Sequence, residues 1–451
     1  MKYEECGMQD AREQASFILH TLPCILAAAM PSYAAFLGHQ PRISLAELAA
    51  AVPGFLYRRT IKDAVVLFES PVELDAAFLD TLGGIVILAR RATDQAVTPA
   101  EVPSLLVSEL KDARRSKVTF SLRTLLLPRP AIHTLYRQCK EALRKLGRPC
   151  RYVGSEREPA PPVLLRDAGL LDPKRGCELV LLPESEEEDN QTFWIGRTIA
   201  AQDVNAYTKR DIGKPVRDTT VGLLPPKLAQ ILLNMGAWLS RGCQTPLHDP
   251  TQKRAKKPEP LTVFDPFCGT GVIPIECLVR GWHVLASDLA QKAVNGCEKN
   301  LEWLRKELKI LKKDAESTVW KQDALKPFVL KQLPAMVVTE TTLGPALEDR
   351  PTQKSAAKMK TELEKLEAAF IENCSKTLPG VPLALTWPFW KIKNETIFLE
   401  HAWEAAHKAG YIATLPPGIE PTRENRLSLL YRRPDQFVGR EIVLLLPRKR
   451  K

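Results

Sequence analysis

The chain has 451 residues, 45% hydrophobic and 26% charged, with a formal net charge of +11. This is an ordinary soluble globular composition with room for two or three domains, and the positive surplus favours an anionic partner, nucleic acid first. None of the ten cysteines pairs at the two-residue spacing of a zinc knuckle or redox dithiol, and no apolar run is long enough to cross a bilayer. The expectation is a cytoplasmic protein with free thiols, no structural metal, no disulfide framework and no membrane span.

Residues 1–30 read as an N-terminal extension. The stretch 17–30 is apolar but short, and follows Glu4, Glu5, Asp10 and Glu13 rather than the positive start of a secretory signal, so a helix is expected. Met30 is a second candidate for the start of translation, because regular patterning begins just after it. Peptides upstream of Met30 in the native protein would remove that idea. Next come a strand at 33–38, a helix that Ser44 could cap with Glu47 as capping-box partner, a strand at 64–68, a helix at 71–82 and a strand at 84–89. Such alternation predicts a small α+β module. A strand at 117–122 precedes a helix at 132–146, which carries Leu135, Leu143 and Leu146 together with Arg137, Lys140, Arg144 and Lys145. The basic face reads as a solvated surface, with an RNA-backbone contact as the alternative. Residues 177–182 and 192–196 read as a hairpin whose tip is the acidic run 184–189.

The second half opens with a helix at 223–239, Pro225 and Pro226 lying near its start. Residues 241–260, with Lys253, Arg254, Lys256 and Lys257, lack apolar periodicity and read as a flexible insertion. Strand, glycine loop, helix, strand and helix then follow, as in a parallel doubly wound sheet. A long amphipathic helix is expected at 354–374 and a last buried strand at 442–446, before the basic tail 448–451.

The chemistry gathers after the strand 261–264. Asp265 ends it, and Pro266-Phe267-Cys268-Gly269-Thr270-Gly271 leads into a helix. Glycines let the backbone bend sharply and approach a ligand, and the N–H groups of such a loop and helix start bind carboxylate or phosphate. Asp288 ends the next strand about twenty residues on, where an acid accepts ribose hydroxyls; capping the helix before Leu289 is its other reading. Asp323, before Ala324, stands where a third strand would end, placed to accept an adenine amino group or to serve as a loop residue. The Gly-Lys-Ser/Thr of a phosphate-binding loop and the Gly-x-Gly-x-x-Gly of a dehydrogenase are both absent.

Asp265-Pro266-Phe267-Cys268-Gly269-Thr270-Gly271 closely resembles the cofactor loop of amino-group methyltransferases acting on RNA and DNA bases. Upstream, Gly196-Arg197-Thr198-Ile199-Ala200-Ala201-Gln202-Asp203, with Tyr207, Arg210 and Asp211, resembles the lead-in segment of the tRNA guanine-10 N2-methyltransferase family. Leu224-Pro225-Pro226-Lys227-Leu228-Ala229 is similar to that family's next helix start. The resemblance covers roughly residues 190–345. It implies a Rossmann-like class I methyltransferase domain over 206–451, preceded over 31–205 by an α+β, ferredoxin-like and THUMP-like region that binds RNA. It implies S-adenosylmethionine as cofactor, tRNA or another structured RNA as partner, and methylation of a guanine exocyclic amine. Asp265, Pro266, Phe267, Cys268, Gly269, Gly271, Asp288, Leu289, Asp323 and Ala324 would hold the cofactor. Leu224, Pro226 and Lys227 would lie near its methionine end.

One element departs from the family. There the fourth strand ends in Asp or Asn, two prolines and an aromatic, which accept the amine, hold the loop and stack on the base. Here Glu340-Thr341-Thr342-Leu343 stands in that place. Glu340 can still accept an amine hydrogen bond with one more methylene of reach, and Leu343 can touch a base without a π face. Losing such stacking costs about 1–3 kcal/mol, which Trp387, Phe389 or Trp390 could offset from an expected strand end and loop, core packing being their other reading. The competing functions are a silent RNA-binding protein of the same fold and a DNA amino-methyltransferase.

Overall fold

The computed structural model describes residues 30–114, 117–125, 127–155, 158–185, 192–218, 223–244, 259–347, 349–393, 395–423, 426–434 and 436–448. The expected helix before Met30, most of the expected flexible insertion and most of the acidic tip lie outside them.

In the first half, β1 (Ser32–Leu37), α1 (Pro41–Ala51), β2 (Leu56–Ile61), β3 (Val65–Glu69), α2 (Ala76–Leu79) and β4 (Ile85–Arg91) form a βαββαβ unit with strand order β2-β3-β1-β4. That is the ferredoxin-like arrangement. Next come α3 (Val102–Glu109), β5 (Val118–Thr124), α4 (Arg129–Lys145), β6 (Cys150–Tyr152), α5 (Pro162–Asp167), β7 (Gly176–Pro183) and β8 (Phe193–Ala201). These strands extend the same sheet as β8-β7-β5-β6, through antiparallel pairing of β4 with β8.

Two local expectations fail here for identifiable reasons. Pro41 occupies the first turn of α1, which suits proline's fixed φ and missing N–H. Ser44 is therefore inside the helix, its hydroxyl donating to the Gln40 carbonyl, and Glu47 is no capping partner but a fully buried acid. The helix expected at 71–82 shrinks to α2. The Tyr33 hydroxyl donates to the Val72 carbonyl and accepts the Leu74 N–H, claiming the backbone an earlier turn would need. Asp75 then caps α2 by accepting the Phe78 N–H.

The second half adds α6 (Val204–Asp211), α7 (Pro226–Ser240), β9 (Thr262–Asp265), α8 (Val272–Val279), β10 (His283–Asp288), α9 (Gln291–Leu308), β11 (Ser317–Lys321) and β12 (Met336–Glu340). It ends with α10 (Gln353–Thr377), β13 (Leu383–Ile392), β14 (Glu395–Ile397), α11 (Glu400–Lys408), β15 (Tyr411–Ala413), β16 (Ser428–Tyr431) and β17 (Val438–Pro447). The sheet order is β11-β10-β9-β12-β13-β17-β15. Neighbours from β11 to β13 are parallel, and β17 runs antiparallel between β13 and β15. This is a Rossmann-like class I methyltransferase fold, whose order reverses between β9 and β12 and opens a crevice at their carboxyl ends.

The strand end expected around residues 385–390 is a correction: β13 runs through Pro388 to Ile392. Pairing with β12 stops at Thr386, so at residue 388 the strand is paired only with β17, where a missing N–H is tolerated. Trp387, Phe389 and Trp390 are core residues, buried at 0%, 4% and 0% exposure.

Helix α7 is buried along nearly its whole length because it faces both halves. A Cβ on Gly236 would stand 2.7 Å from Val338 Cγ2, so glycine is what lets this helix lie against β12. On its other side, Asn234 donates to Glu47 Oε1 (2.6 Å), and Glu47 also accepts the N–H groups of Gly83 and Gly84 at 2.8 and 2.7 Å. Arg280, just past α8, donates to Asn234 Oδ1 and to the Thr81 carbonyl. These bonds tie the ferredoxin-like unit to the helix that begins in the glycine loop.

Candidate active site

A cleft of about 530 Å³ opens at the carboxyl ends of β9, β10 and β12, a volume typical of small-ligand sites. It collects Asp265, Pro266, Phe267, Cys268, Gly269, Asp288, Leu289, Asp323, Ala324, Glu340 and Leu343. Gly271 stands just behind it and Lys227 outside it.

The loop is shaped by its two glycines. Gly269 has φ +51° and would carry a Cβ into open space; Gly271 has φ +88° and would carry one to 2.6 Å from Cys297 Sγ. The first therefore leaves the cleft floor bare, and the second lets the loop close onto α9. Asp288 Oδ2 accepts the Gly269 N–H and its Oδ1 accepts the Ala290 N–H, both at 2.9 Å. Each oxygen has two lone pairs, so one remains on each for a hydroxyl donor. The cap of α9 is Ala290, not Asp288.

Asp265 is 1% exposed and accepts from the Thr339 hydroxyl at 2.6 Å and from the Phe267 N–H at 3.3 Å. Burial pushes its pKa up to about 7, with the Asp288 and Glu340 charges adding to the shift. Phe267 turns away from the loop and meets Phe370 edge-on at 5.0 Å. Cys268 donates its N–H to the Ser287 carbonyl, and a side-chain hydrogen bond with Cys297, followed by burial, raises its thiol pKa. Asp323 Oδ1 accepts the Leu325 N–H, and Asn373 holds the carbonyls of Ala324 and Lys326. Leu289 is exposed on the rim at 65%.

The opposite wall is made by Glu340–Gly344 with Leu223 and Leu224. Glu340 Oε1 accepts from Arg440 Nε at 2.5 Å, and the Arg440 side chain is 2% exposed. Among the described residues no hydrogen bond engages the other Glu340 oxygen. Burial raises the Glu340 pKa, and the Arg440 cation opposes that rise. Thr341 is buried and donates to the Thr386 carbonyl. Glu367, fully buried on α10, faces Thr341 and the Trp387 indole, and burial pushes its pKa up to about 8.

Lys227 sits apart from the other site candidates. Its ammonium donates to Gln202 Oε1 at 2.5 Å and lies over the Tyr207 ring. Arg440, Glu367 and Thr339 were not anticipated as contributors. Arg440 had a signal in the sequence, since Arg440 and Glu441 are the two charges inside an otherwise apolar last strand. Glu367 had none, being one acid among several on a long amphipathic helix.

Among the described residues no cluster of three or more His, Cys, Asp or Glu could hold a metal ion, and no helix is long and apolar enough to cross a membrane. The eight described cysteines are free.

Residues 252–329 match the protein family described as Conserved hypothetical protein 95, a stretch that includes the glycine loop, Asp288 and Asp323. Comparison with curated proteins gives no match. Among solved structures the chain is similar to TrmN from Thermus thermophilus, at 15% identity over 93% of this chain and 99% of that one, with a TM-score of 0.45. It is similar to a protein of Clostridium difficile 630 described as a possible methylase, at 10% identity over 94% and 99%, with a TM-score of 0.44. It is also similar to magnesium protoporphyrin IX methyltransferase from Synechocystis PCC 6803, solved with bound SAM, at 16% identity over 55% and 92%, with a TM-score of 0.31.

Proposed function

We propose that this chain is an S-adenosylmethionine-dependent methyltransferase that methylates a guanine exocyclic amine in tRNA, as a member of the tRNA guanine-10 N2-methyltransferase family. The observation that carries the reading is the bend at Gly269. A bare backbone floor there is tied to a carboxylate with spare lone pairs, at the switch point of a class I methyltransferase sheet. The donor set fits a neutral, hydroxyl-rich nucleoside better than a polyphosphate, because Asp288 would repel phosphate.

The cofactor supplies an electrophilic methyl group on a sulfonium, and the residues of the chain supply orientation. Asp288 would accept hydrogen bonds from the ribose hydroxyls, Leu289 and Ala324 would flank the adenine, and Asp323 would accept a hydrogen bond from its amino group. Glu340 would accept a hydrogen bond from the substrate amine, orient its nitrogen and take the proton it sheds on methylation; Leu343 would contact the base. No strong base is needed, since holding the amine in line does most of the work. The net charge of +11 and the attached α+β region support an RNA substrate.

A second reading, a cofactor-binding protein without transfer activity, is favoured by Thr341, Thr342 and Leu343 at the substrate wall and by the ion pair on Glu340. Labelled cofactor and bulk tRNA separate the two. Label in tRNA nucleosides supports transfer, cofactor uptake without label supports the silent protein, and label in duplex DNA alone would redirect the substrate. Nucleoside mass spectrometry of tRNA from cells with and without the protein identifies the base.

A further inference from the structure

Arg440 is a guanidinium with 2% side-chain exposure near the start of a buried, otherwise mostly apolar strand. Arginine does not shed its proton, so burying it demands compensating partners. Its partners come from different segments of the chain. Nε donates to Glu340 at the end of β12, while one terminal nitrogen donates to the Leu223 carbonyl at 3.2 Å and the other to Gln436 Oε1 at 3.4 Å. The Tyr431 ring lies 5.9 Å away. Glu340 and Leu223 both line the cleft.

We infer that Arg440 is a positioning residue for methyl transfer: it bridges the Glu340 carboxylate and the Leu223 backbone, fixes the two flanks of the substrate wall, and keeps Glu340 ready to accept the amine. The inference rests on the reading of Glu340 as that acceptor. A planar guanidinium with diverging N–H groups can hold both partners at once; a lysine ammonium on a flexible stem has no such fork. The extra methylene of Glu340, compared with the Asp or Asn of the family's pattern, is the reach that meets Arg440.

The electrostatic surroundings of Glu340 make the inference testable by pH. From β17 it faces Arg440, the cation that holds its pKa down against burial. From β9 it faces Asp265, which would push it up when ionised. From α10, Glu367 reaches the adjoining Thr341, and β13 brings uncharged Thr386. Without Arg440 no described cation remains against the carboxylate, and it protonates at higher pH.

The test measures transfer of labelled methyl to tRNA against pH for wild type, Arg440→Met, Arg440→Lys and Glu340→Gln. Cofactor binding by calorimetry and thermal unfolding accompany each. In Arg440→Met the acid limb of kcat should move up by about one pH unit or more, and the plateau should fall about 100-fold, while cofactor affinity stays within threefold. Arg440→Lys should keep the wild-type limb and lose about tenfold in kcat, since one hydrogen bond of the bridge is gone. Glu340→Gln should remove the limb. If Arg440→Met fails to fold, Arg440→Lys decides, and wild-type kcat in that variant overturns the inference. A folded Arg440→Met with an unmoved limb also overturns it and leaves Arg440 a core residue. Absence of transfer in wild type, with cofactor binding intact, removes the parent reading and this inference together.

Discussion

The glycine wall of the cleft and the Glu340 wall are built over different lengths of chain. Gly269 and Asp288, which hold one another, lie 19 residues apart; Glu340 and Arg440 lie 100 apart. On the first wall the bonding groups are mostly backbone N–H and carbonyl, presented by a bend that glycines permit. On the second they are the buried side chains of Arg440 and Thr341, which join segments far apart in the chain, with buried Glu367 of α10 facing Thr341. A ligand gripped by the first wall meets a surface dictated by local conformation. A ligand on the second meets one dictated by how β13, β17 and α10 pack, and substitutions there can redirect chemistry while the fold stands.

Substitutions on each wall should separate in what they damage. The largest effect is expected from Glu340→Ala, which should cut methyl transfer to tRNA about 100-fold or more with cofactor affinity unchanged; retained turnover would place the substrate wall elsewhere. Asp288→Ala should raise the Kd for S-adenosylmethionine about 10- to 100-fold, the worth of a hydrogen bond to a charged group. Unaltered calorimetry for a folded Asp288→Ala would refute the ribose assignment. Gly271→Ala forces a left-handed residue with its Cβ against Cys297, at a cost of about 1–3 kcal/mol. Thermal melts should show it less stable than Gly269→Ala, whose Cβ meets nothing within 4 Å; the reverse order would mean the loop closes differently.

The smallest effect concerns stability. The Glu367 carboxyl has a folded value of about 8 against an ordinary 4.5. Its protonated form favours the fold, so that contribution is complete below pH 4.5 and is lost as pH rises through 8. Glu367→Gln, neutral throughout, should match wild type near pH 4.5 and gain about 2 °C or more in melting temperature by pH 8.5. A difference that does not grow with pH would mean the carboxyl is not held protonated.

The contrast between the walls also explains what could be read in the sequence. Glycine spacing, terminal acids and strand–helix alternation are short-range patterns, and they conveyed the doubly wound sheet and the contents of the glycine wall. Lys227 belongs to a legible helix start, but its ammonium follows Gln202 and Tyr207, partners no local pattern names. The segment around Pro388 read as a strand end and loop; the pairing of β12, β13 and β17 is what lets the strand continue through a residue without an N–H. Glu47 fitted a capping box by spacing, yet its partners are Gly83, Gly84 and Asn234, the last 187 residues away.

That last contact bears on whether the protein can be dissected. A Cβ on Gly83 would stand 1.9 Å from the Lys227 carbonyl oxygen, so the ferredoxin-like unit and α7 touch through bare backbone. Cutting the chain at residue 205 would strip Glu47 of its Asn234 partner and uncover the apolar residues of α7 that now face α1. Neither fragment would inherit a finished surface. Expressed alone, each should be prone to aggregate, and mixing the two should rescue both.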